Sequence, residues 1–287
     1  MLNRFGLGSF LFLSLAAACG GDDDKEGGAA DAAGNTPTID AAGGQNNPDA
    51  AGTPDAAVLD LPDARPSALA CAGDPLPTTV ANPPIVISGT VQEGSTSGIV
   101  TMTQSAHVST HQAADDALIA EGDFTGPYTI TDPTNSTTPI DAYLKSTSNG
   151  FVDTYVFPPS AISENLSGTP IVMVSTTIFS LLPILTGITQ DAGNASLIVA
   201  AVDCDQSAME GATVSITPNV GTLRYAGANG IPSMTDFPAT QSPGLAYIFN
   251  VPPGSYQVDS TAPDGTILRT VTIKAFADST TTAVVAP

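Results

Sequence analysis

The chain has 287 residues, of which 42% are apolar and only 12% charged, and its 7 basic and 28 acidic residues give a formal net charge of −21. A charge of this sign repels nucleic acid and anionic lipid headgroups, so neither is expected as an electrostatic partner. Few charged residues together with 27 glycines and 24 prolines favour short strands and turns over surface helices, and predict an all-β body.

Residues 1–18 are typical of an export signal. Arg4 precedes an apolar run from Phe5 to Ala18. As a helix this run would be about 21 Å long at ~1.5 Å per residue, shorter than a hydrocarbon core of ~30 Å. We therefore expect a cleaved signal peptide and not a permanent membrane span.

The residues around Cys19 suggest a lipid anchor. Three alanines precede Cys19, and two glycines and an acidic run follow it. This arrangement resembles the lipobox of bacterial lipoproteins, although Ala16 stands where that family usually has leucine. The resemblance implies that Cys19 becomes the acylated N-terminus, and Gly20 implies sorting to the outer membrane. Several acyl chains on one residue anchor a protein stably. The alternative is an ordinary signal peptide that leaves Cys19 as a free thiol.

Residues 19–69 have the composition of a disordered tether. The tripeptide Asp-Ala-Ala recurs without any aromatic residue, and the segment holds ten acidic residues against two basic ones. Such a chain cannot build a core, and its charges keep it extended. About 48 residues of flexible chain have a root-mean-square reach of roughly 40 Å. Calcium binding is not favoured, because the repeat lacks the spacing of a calcium loop.

Residues 70–165 predict a first β-sandwich. Short apolar runs alternate there with turn residues, as in sandwich folds. The candidate strands are Val86–Val91, Ile99–Met102, Tyr128–Ile130, Ala142–Leu144 and Thr154–Phe157.

Residues 166–192 are the least β-like part of the body and predict a connecting segment with a short helix. Ser175 is placed to cap this helix, Pro183 to bend it and Gly187 to end it. A transmembrane reading of the same apolar run is disfavoured, because hydroxyl residues and a proline interrupt it and basic flanks are absent.

Residues 193–287 predict a second β-sandwich that resembles the carboxypeptidase regulatory-like domain. The resemblance is carried by residues at two turns and their flanking strands: Gly211, Val214, Phe249, Pro253, Gly254 and Tyr256. It implies a transthyretin-like sandwich with a structural or interaction role. The proline and glycine turn should reverse the chain tightly, with Phe249 and Tyr256 packing across it. Residues 70–165 show a fainter version, so the predicted fold is two tandem Ig-like or transthyretin-like sandwiches joined by a short helix.

Cys71 and Cys204 are the cysteines that remain if Cys19 is acylated. An even pair in an exported chain predicts a disulfide, with two separately buried thiols as the alternative.

His107 and His111 are the two histidines of the chain. On a helix, this spacing would present both rings and a carboxylate from Asp115 or Asp116 to zinc. The segment lacks the glutamate of a His-Glu-x-x-His site and any further histidine or cysteine ligand, so we predict neither a metal nor another cofactor.

These features predict a non-enzymatic cell-envelope lipoprotein that displays β-sandwich domains and contacts the membrane through its lipid. Its further partner, protein or glycan, is not specified, and neither is the membrane face. One alternative is a glycan- or peptide-binding, adhesin-like module that docks ligands at its edge strands. The other, less favoured, is a metal-dependent hydrolase that uses His107 and His111.

Overall fold

A computed structural model describes residues 67–95 and 98–287 of the chain. The predicted signal peptide, the acylation of Cys19 and nearly all of the predicted tether lie outside the described residues and stay predictions.

The described residues form fifteen strands, one α-helix and a 3-10 helix. In chain order these are the 3-10 helix Ser67–Leu69, β1 (Val86–Ser95), β2 (Gly98–Thr101), β3 (Ala106–Gln112), β4 (Leu118–Phe124), β5 (Pro127–Thr131), β6 (Ala142–Thr147), β7 (Thr154–Phe157), β8 (Leu166–Val174), α1 (Thr176–Ile184), β9 (Ala195–Ala201), β10 (Thr213–Thr217), β11 (Thr222–Tyr225), β12 (Leu245–Val251), β13 (Gly254–Thr261), β14 (Val271–Ala275) and β15 (Thr280–Val285).

Both halves of the body contribute to one eight-stranded sheet. Its strand order is β11-β12-β9-β15-β7-β6-β3-β4. The last strand of the chain, β15, lies at the junction and pairs in parallel with β7 on one side and with β9 on the other. We call this the shared sheet, because each of the two sandwiches uses part of it as one layer.

The first sandwich is completed by a smaller sheet centred on β1. This strand pairs with β2 and β5 in antiparallel fashion and with β8 in parallel. Val91, Ile171 and Met173 of this sheet join Val108 and Val156 of the shared sheet in one core. Strand β8 therefore belongs to the first sandwich, although its residues lie in the predicted connecting segment.

The second sandwich lies on the opposite face of the shared sheet. Its smaller sheet has the order β10-β13-β14. The alternation along β7 shows the arrangement: Val156 points into the first core, whereas Tyr155 and Phe157 point into the second. Because successive side chains of a strand point to opposite faces, the two smaller sheets cover opposite faces. The all-β fold of two sandwiches with a short helix is confirmed.

Helix α1 forms where the sequence predicts it. The Ser175 hydroxyl accepts a hydrogen bond from the Ile178 amide, so Ser175 is the N-cap. Pro183 lies within the last turn, and Gly187 follows with a φ of +75°. Phe179 packs in one cluster with Val152 and with Val174, the last residue of β8. No helix among the described residues is long and apolar enough to cross a membrane.

Two of the turn residues that carry the resemblance to the carboxypeptidase regulatory-like domain have a defined local role. Gly211 has a φ of +81°, and a Cβ there would lie 2.9 Å from the Pro263 ring, so glycine suits this turn. The Tyr256 hydroxyl donates a 2.8 Å hydrogen bond to the Pro252 carbonyl.

One expectation for this turn is wrong. Phe249 and Tyr256 belong to different hydrophobic clusters and do not pack across the turn. The physical reason is that Pro253 and Gly254 carry the chain from β12 of the shared sheet to β13 of the smaller sheet, so the turn joins two layers and not two paired strands.

A charge at the centre of β15 should destabilise both sandwiches. Ala283 is 1% exposed, so Ala283→Asp would bury an unpaired carboxylate, and we expect a loss of about 4 kcal/mol or more in the free energy of unfolding. Urea unfolding followed by circular dichroism and by hydrogen exchange in each half would measure it. Thr282→Asp is the matched control, because the neighbouring side chain is partly exposed and should tolerate the charge better. Destabilisation of the second half alone would contradict the shared-sheet interpretation.

Candidate functional site

The two predicted partner cysteines form a disulfide. Cys71 follows the 3-10 helix, Cys204 lies in the turn after β9, and the bond closes a sequence separation of 133 residues. The Cys204 amide also donates a 2.9 Å hydrogen bond to the Ala68 carbonyl. Asp203 shapes the turn by accepting hydrogen bonds from two following amides. The point where the chain enters the body is thus joined covalently to the end of a central strand.

A second contact joins the entry point to the C-terminal end. The Arg269 guanidinium donates one hydrogen bond to the Asp74 carbonyl at 2.5 Å and another to the Pro287 carbonyl at 2.8 Å. Both ends of the described body therefore lie together, beside the disulfide.

The histidine pair does not form the arrangement that the zinc hypothesis needs. His107 and His111 lie on strand β3 and not on a helix. Four residues along a strand span roughly 13 Å at ~3.3 Å per residue, far more than one helical turn. The strand forms because alternate residues such as Val108 pack into the first core. The described residues contain no group of three or more His, Cys, Asp or Glu side chains placed to hold a metal.

Each histidine instead has its own polar partners. The Nδ1 atom of His107 lies 3.0 Å from a carboxylate oxygen of Asp123, and Nε2 lies 3.2 Å from Glu121. His111 stacks on the Tyr143 ring at 5.4 Å, and its Nε2 lies 2.9 Å from the Ser109 hydroxyl. The Nδ1 atom of His111 lies 3.0 Å from the backbone carbonyl oxygen of Asp116. Each of the four ring nitrogens therefore has a polar partner.

Asp116, the other suggested zinc ligand, joins the two sandwiches. Its carboxylate accepts a 2.6 Å bond from the Lys274 ammonium and a 3.0 Å bond from the Tyr143 hydroxyl. The hydrogen bond from Lys274 lowers the pKa of Asp116 despite some burial. Burial and the bond to Asp116 raise the pKa of Tyr143. Because Asp116 lies in the β3–β4 turn and Lys274 on β14, this ion pair connects the first sandwich to the second.

An apolar cavity lies on the face of the shared sheet that the first smaller sheet leaves partly uncovered. Its volume is about 180 Å³. Strands β1, β2, β7, β8, β9, β12 and β15, helix α1 and the loop after β11 supply the walls, which include Val172, Leu182, Ile198, Tyr247 and Val284. No charged side chain lines this cavity.

A second cavity of about 340 Å³ adjoins the first, next to the disulfide. Val156, Thr169 and Val284 line both cavities. The second one also has charged walls, from Arg269 and the acidic residues Asp74, Glu164 and Asp203. We call the two cavities together the groove. Sequence reasoning missed it, because its walls come from many separate elements that each look like ordinary core segments.

No family model and no curated protein matches the chain. Among solved structures, it is similar to the TIE protein of Bacillus anthracis, with 13% identity, a TM-score of 0.23 and coverage of 70% of this chain and 34% of that one. It is also similar to the minor pilin GBS52 of Streptococcus agalactiae, with 11% identity, a TM-score of 0.22 and coverage of 70% and 94%. The tip fimbrial protein Mfa3 of Porphyromonas gingivalis has 8% identity, a TM-score of 0.23 and coverage of 67% and 81%.

The chain spans about a third of the TIE protein's length.

Removing the disulfide should lower stability without changing the fold. We expect Cys71→Ser combined with Cys204→Ser to cost about 2–4 kcal/mol, because the unfolded chain loses a long covalent loop. Guanidinium unfolding of the wild type and the variant, each with and without reductant, would measure the difference. Reductant should shift the wild-type midpoint and leave the variant unchanged. A wild-type unfolding midpoint that does not change with reductant would contradict the Cys71–Cys204 disulfide.

Acidification should weaken the Asp116–Lys274 ion pair. The folded-state pKa of Asp116 is lowered, so its contribution is present above the unfolded pKa of about 3.9 and is lost as pH falls through the folded value. We expect Asp116→Asn to cost at most about 1 kcal/mol at neutral pH, since the carboxylate is half exposed, and to cost less below pH ~3. Melting temperatures from pH 2 to 7 would show this. Lys274→Met should give a similar loss, and a double variant no worse than either single one would confirm the coupling.

Proposed function

We propose that this protein is a non-enzymatic lipoprotein of the bacterial cell envelope, anchored in the outer membrane through acyl chains on Cys19. The Cys71–Cys204 disulfide is the observation that carries the proposal. Disulfides form and persist in exported proteins, and this one uses both cysteines of the body. Cys19, in its lipobox-like context, is then the cysteine left for acylation.

The entry point of the chain supports a display role. The predicted acidic tether leads into the body just before Cys71, where a covalent bond and the Arg269 contacts hold the chain. A body held at one end of a tether of roughly 40 Å reach can meet partners at a distance from the membrane.

The polar residues of the body support a non-enzymatic role. His107, His111 and Asp116 make contacts within the sheets and between the sandwiches, which gives each of them a structural function. The resemblance of residues 193–287 to the carboxypeptidase regulatory-like domain agrees with a structural or interaction module.

A binding function is the second candidate, and the groove is the observation that favours it. Its two adjoining cavities combine an apolar interior with polar groups at one end, which is the usual character of ligand sites.

Acylation of Cys19 is the direct test. Cells grown with an alkyne analogue of palmitate should label the wild-type protein, and the protein should fractionate with membranes. Cys19→Ser should abolish the label and release the protein. Cys71→Ser is the control, because it removes a cysteine from the body and should keep the label. A labelled Cys19→Ser variant, or an unlabelled wild type, would contradict the proposal.

Protease added to intact cells would then reveal the membrane face. Release of the body would place it on the surface, where external ligands are the relevant partners. Protection until the outer membrane is opened would place it in the periplasm.

A further inference from the structure

We infer that the groove is a binding site for a single-chain acyl amphiphile, with the aliphatic chain in the apolar cavity, a hydrogen-bonding group at Thr169 and the polar head in the charged cavity. The inference rests on the proposed function in one respect: an envelope protein encounters such molecules.

The walls of the apolar cavity select an aliphatic ligand. Val172 and Pro170 of β8, Leu182 of α1, and Ile198 and Val284 of the shared sheet face the space. Branched aliphatic side chains without a charged neighbour offer dispersion contacts and desolvation to a hydrocarbon. They offer few donors or acceptors to a sugar, so a glycan is disfavoured.

The charged residues of the second cavity make the two ends of the groove chemically different. Its charged residues lie beside the disulfide, at the end where both chain termini of the described body meet. Arg269 lies among three acidic residues there, so the site presents both donors and acceptors to a polar head. An amphiphile likewise has an apolar chain at one end and a polar head at the other.

Thr169 lies where the two cavities meet and has a hydroxyl without a partner. The residue is 8% exposed, and its Oγ1 is buried without a hydrogen bond. A buried unpaired hydroxyl costs free energy and is uncommon in folded proteins. Because this oxygen has less than 1 Å² of accessible surface, a ligand ester, carboxyl or hydroxyl group would satisfy it once the Thr169 side chain rotates toward the cavity.

The close approach of β1 and β8 holds this part of the groove in place. A Cβ on Gly89 would lie 1.8 Å from the Thr169 carbonyl oxygen, so only glycine allows this approach. The register shifts just before Thr169, and the Tyr128 hydroxyl donates a 2.9 Å bond to the same carbonyl. The backbone of Thr169 is thus fixed while its side-chain hydroxyl stays unpaired.

An extended peptide fits the groove less well than an amphiphile. Each peptide residue brings a backbone donor and acceptor that need partners when buried. Strand β8 borders the groove, but Pro170 has no amide hydrogen to offer. The single unpaired hydroxyl of Thr169 is better matched by an amphiphile, which has one polar group next to an otherwise apolar chain.

Titration with cis-parinaric acid, a linear fatty acid whose fluorescence rises in apolar surroundings, tests the inference. The full chain carrying Cys19→Ser is used, so that no acyl chain is attached. We expect saturable binding at one site per chain and displacement by palmitic acid. No saturable binding would overturn the inference. Because this protein is unacylated, the result is independent of whether Cys19 acylation, and with it the proposed function, is correct.

Filling the apolar cavity should block binding. Val172 is partly exposed and lines the cavity, so we expect Val172→Trp to weaken probe binding at least tenfold with unchanged circular dichroism. Leu118→Trp is the matched control, because Leu118 is 52% exposed on the edge strand β4, away from the groove. Equal binding by both variants and the parent would overturn the inference.

The Thr169 hydroxyl, where the two cavities meet, should contribute to probe binding but not to thermal stability. Thr169→Val removes an unpaired polar atom, so we expect equal or higher thermal stability but about two- to tenfold weaker probe binding, the worth of one neutral hydrogen bond. Thr110→Val is the control, because Thr110 also has a buried unpaired hydroxyl but does not line the groove. Equal effects of the two substitutions on binding would overturn the role of Thr169.

The acylated wild type distinguishes the two possible sources of the chain. Binding of the probe by both forms supports a free amphiphile as the ligand. If Cys19→Ser binds the probe and the acylated form does not, the occupant is the protein's own acyl chain, and the inference of an external ligand is wrong.

Discussion

The parallel pairing of β15 with both β7 and β9 is the constraint on which the rest of the structure depends. Without it, the four strands of the first half and the three of the second would be separate sheets with open edges, which invite association with other chains. The strand that joins them is β15, whose Thr280 pairs with Thr154 of β7, so the shared sheet depends on residues that are far apart in the sequence. Folds with such distant pairings fold slowly.

Because the two smaller sheets pack on opposite faces of the shared sheet, the fold leaves space for a binding site. Each smaller sheet covers only its own half, so each face of the shared sheet is left partly uncovered. On one face the uncovered part carries polar side chains such as His107 and Lys145. On the other, α1 covers part of the apolar surface, and the space that remains is the groove. The site thus arises from the way the layers are offset, and no catalytic motif is involved.

Local features of this fold could be predicted from the sequence, and long-range ones could not. Helix α1 could be predicted from Ser175, Pro183 and Gly187, because capping and termination depend on a few neighbouring residues. The pairing of Cys71 with Cys204 followed from counting, once Cys19 was set aside. The strand character of His107–His111 was harder to see, since a polar segment with spacing four suits a helix as well as a solvent-facing strand. The position of β8 and the shared sheet depended on pairings across more than seventy residues, for which the sequence carries no local signal. The groove could not be predicted for the same reason.

The disulfide also determines how the body responds to force. A pull on the predicted tether reaches the body at Cys71 and passes through the covalent bond to Cys204, at the end of a central strand. The residues between the two cysteines, which include all of the first sandwich's strands except β15, form a closed loop that cannot be drawn out while the bond is intact. Under such a pull, extension is confined to the tether and to the chain beyond Cys204, so strands β1 to β9 cannot be unravelled from the N-terminal end of the body.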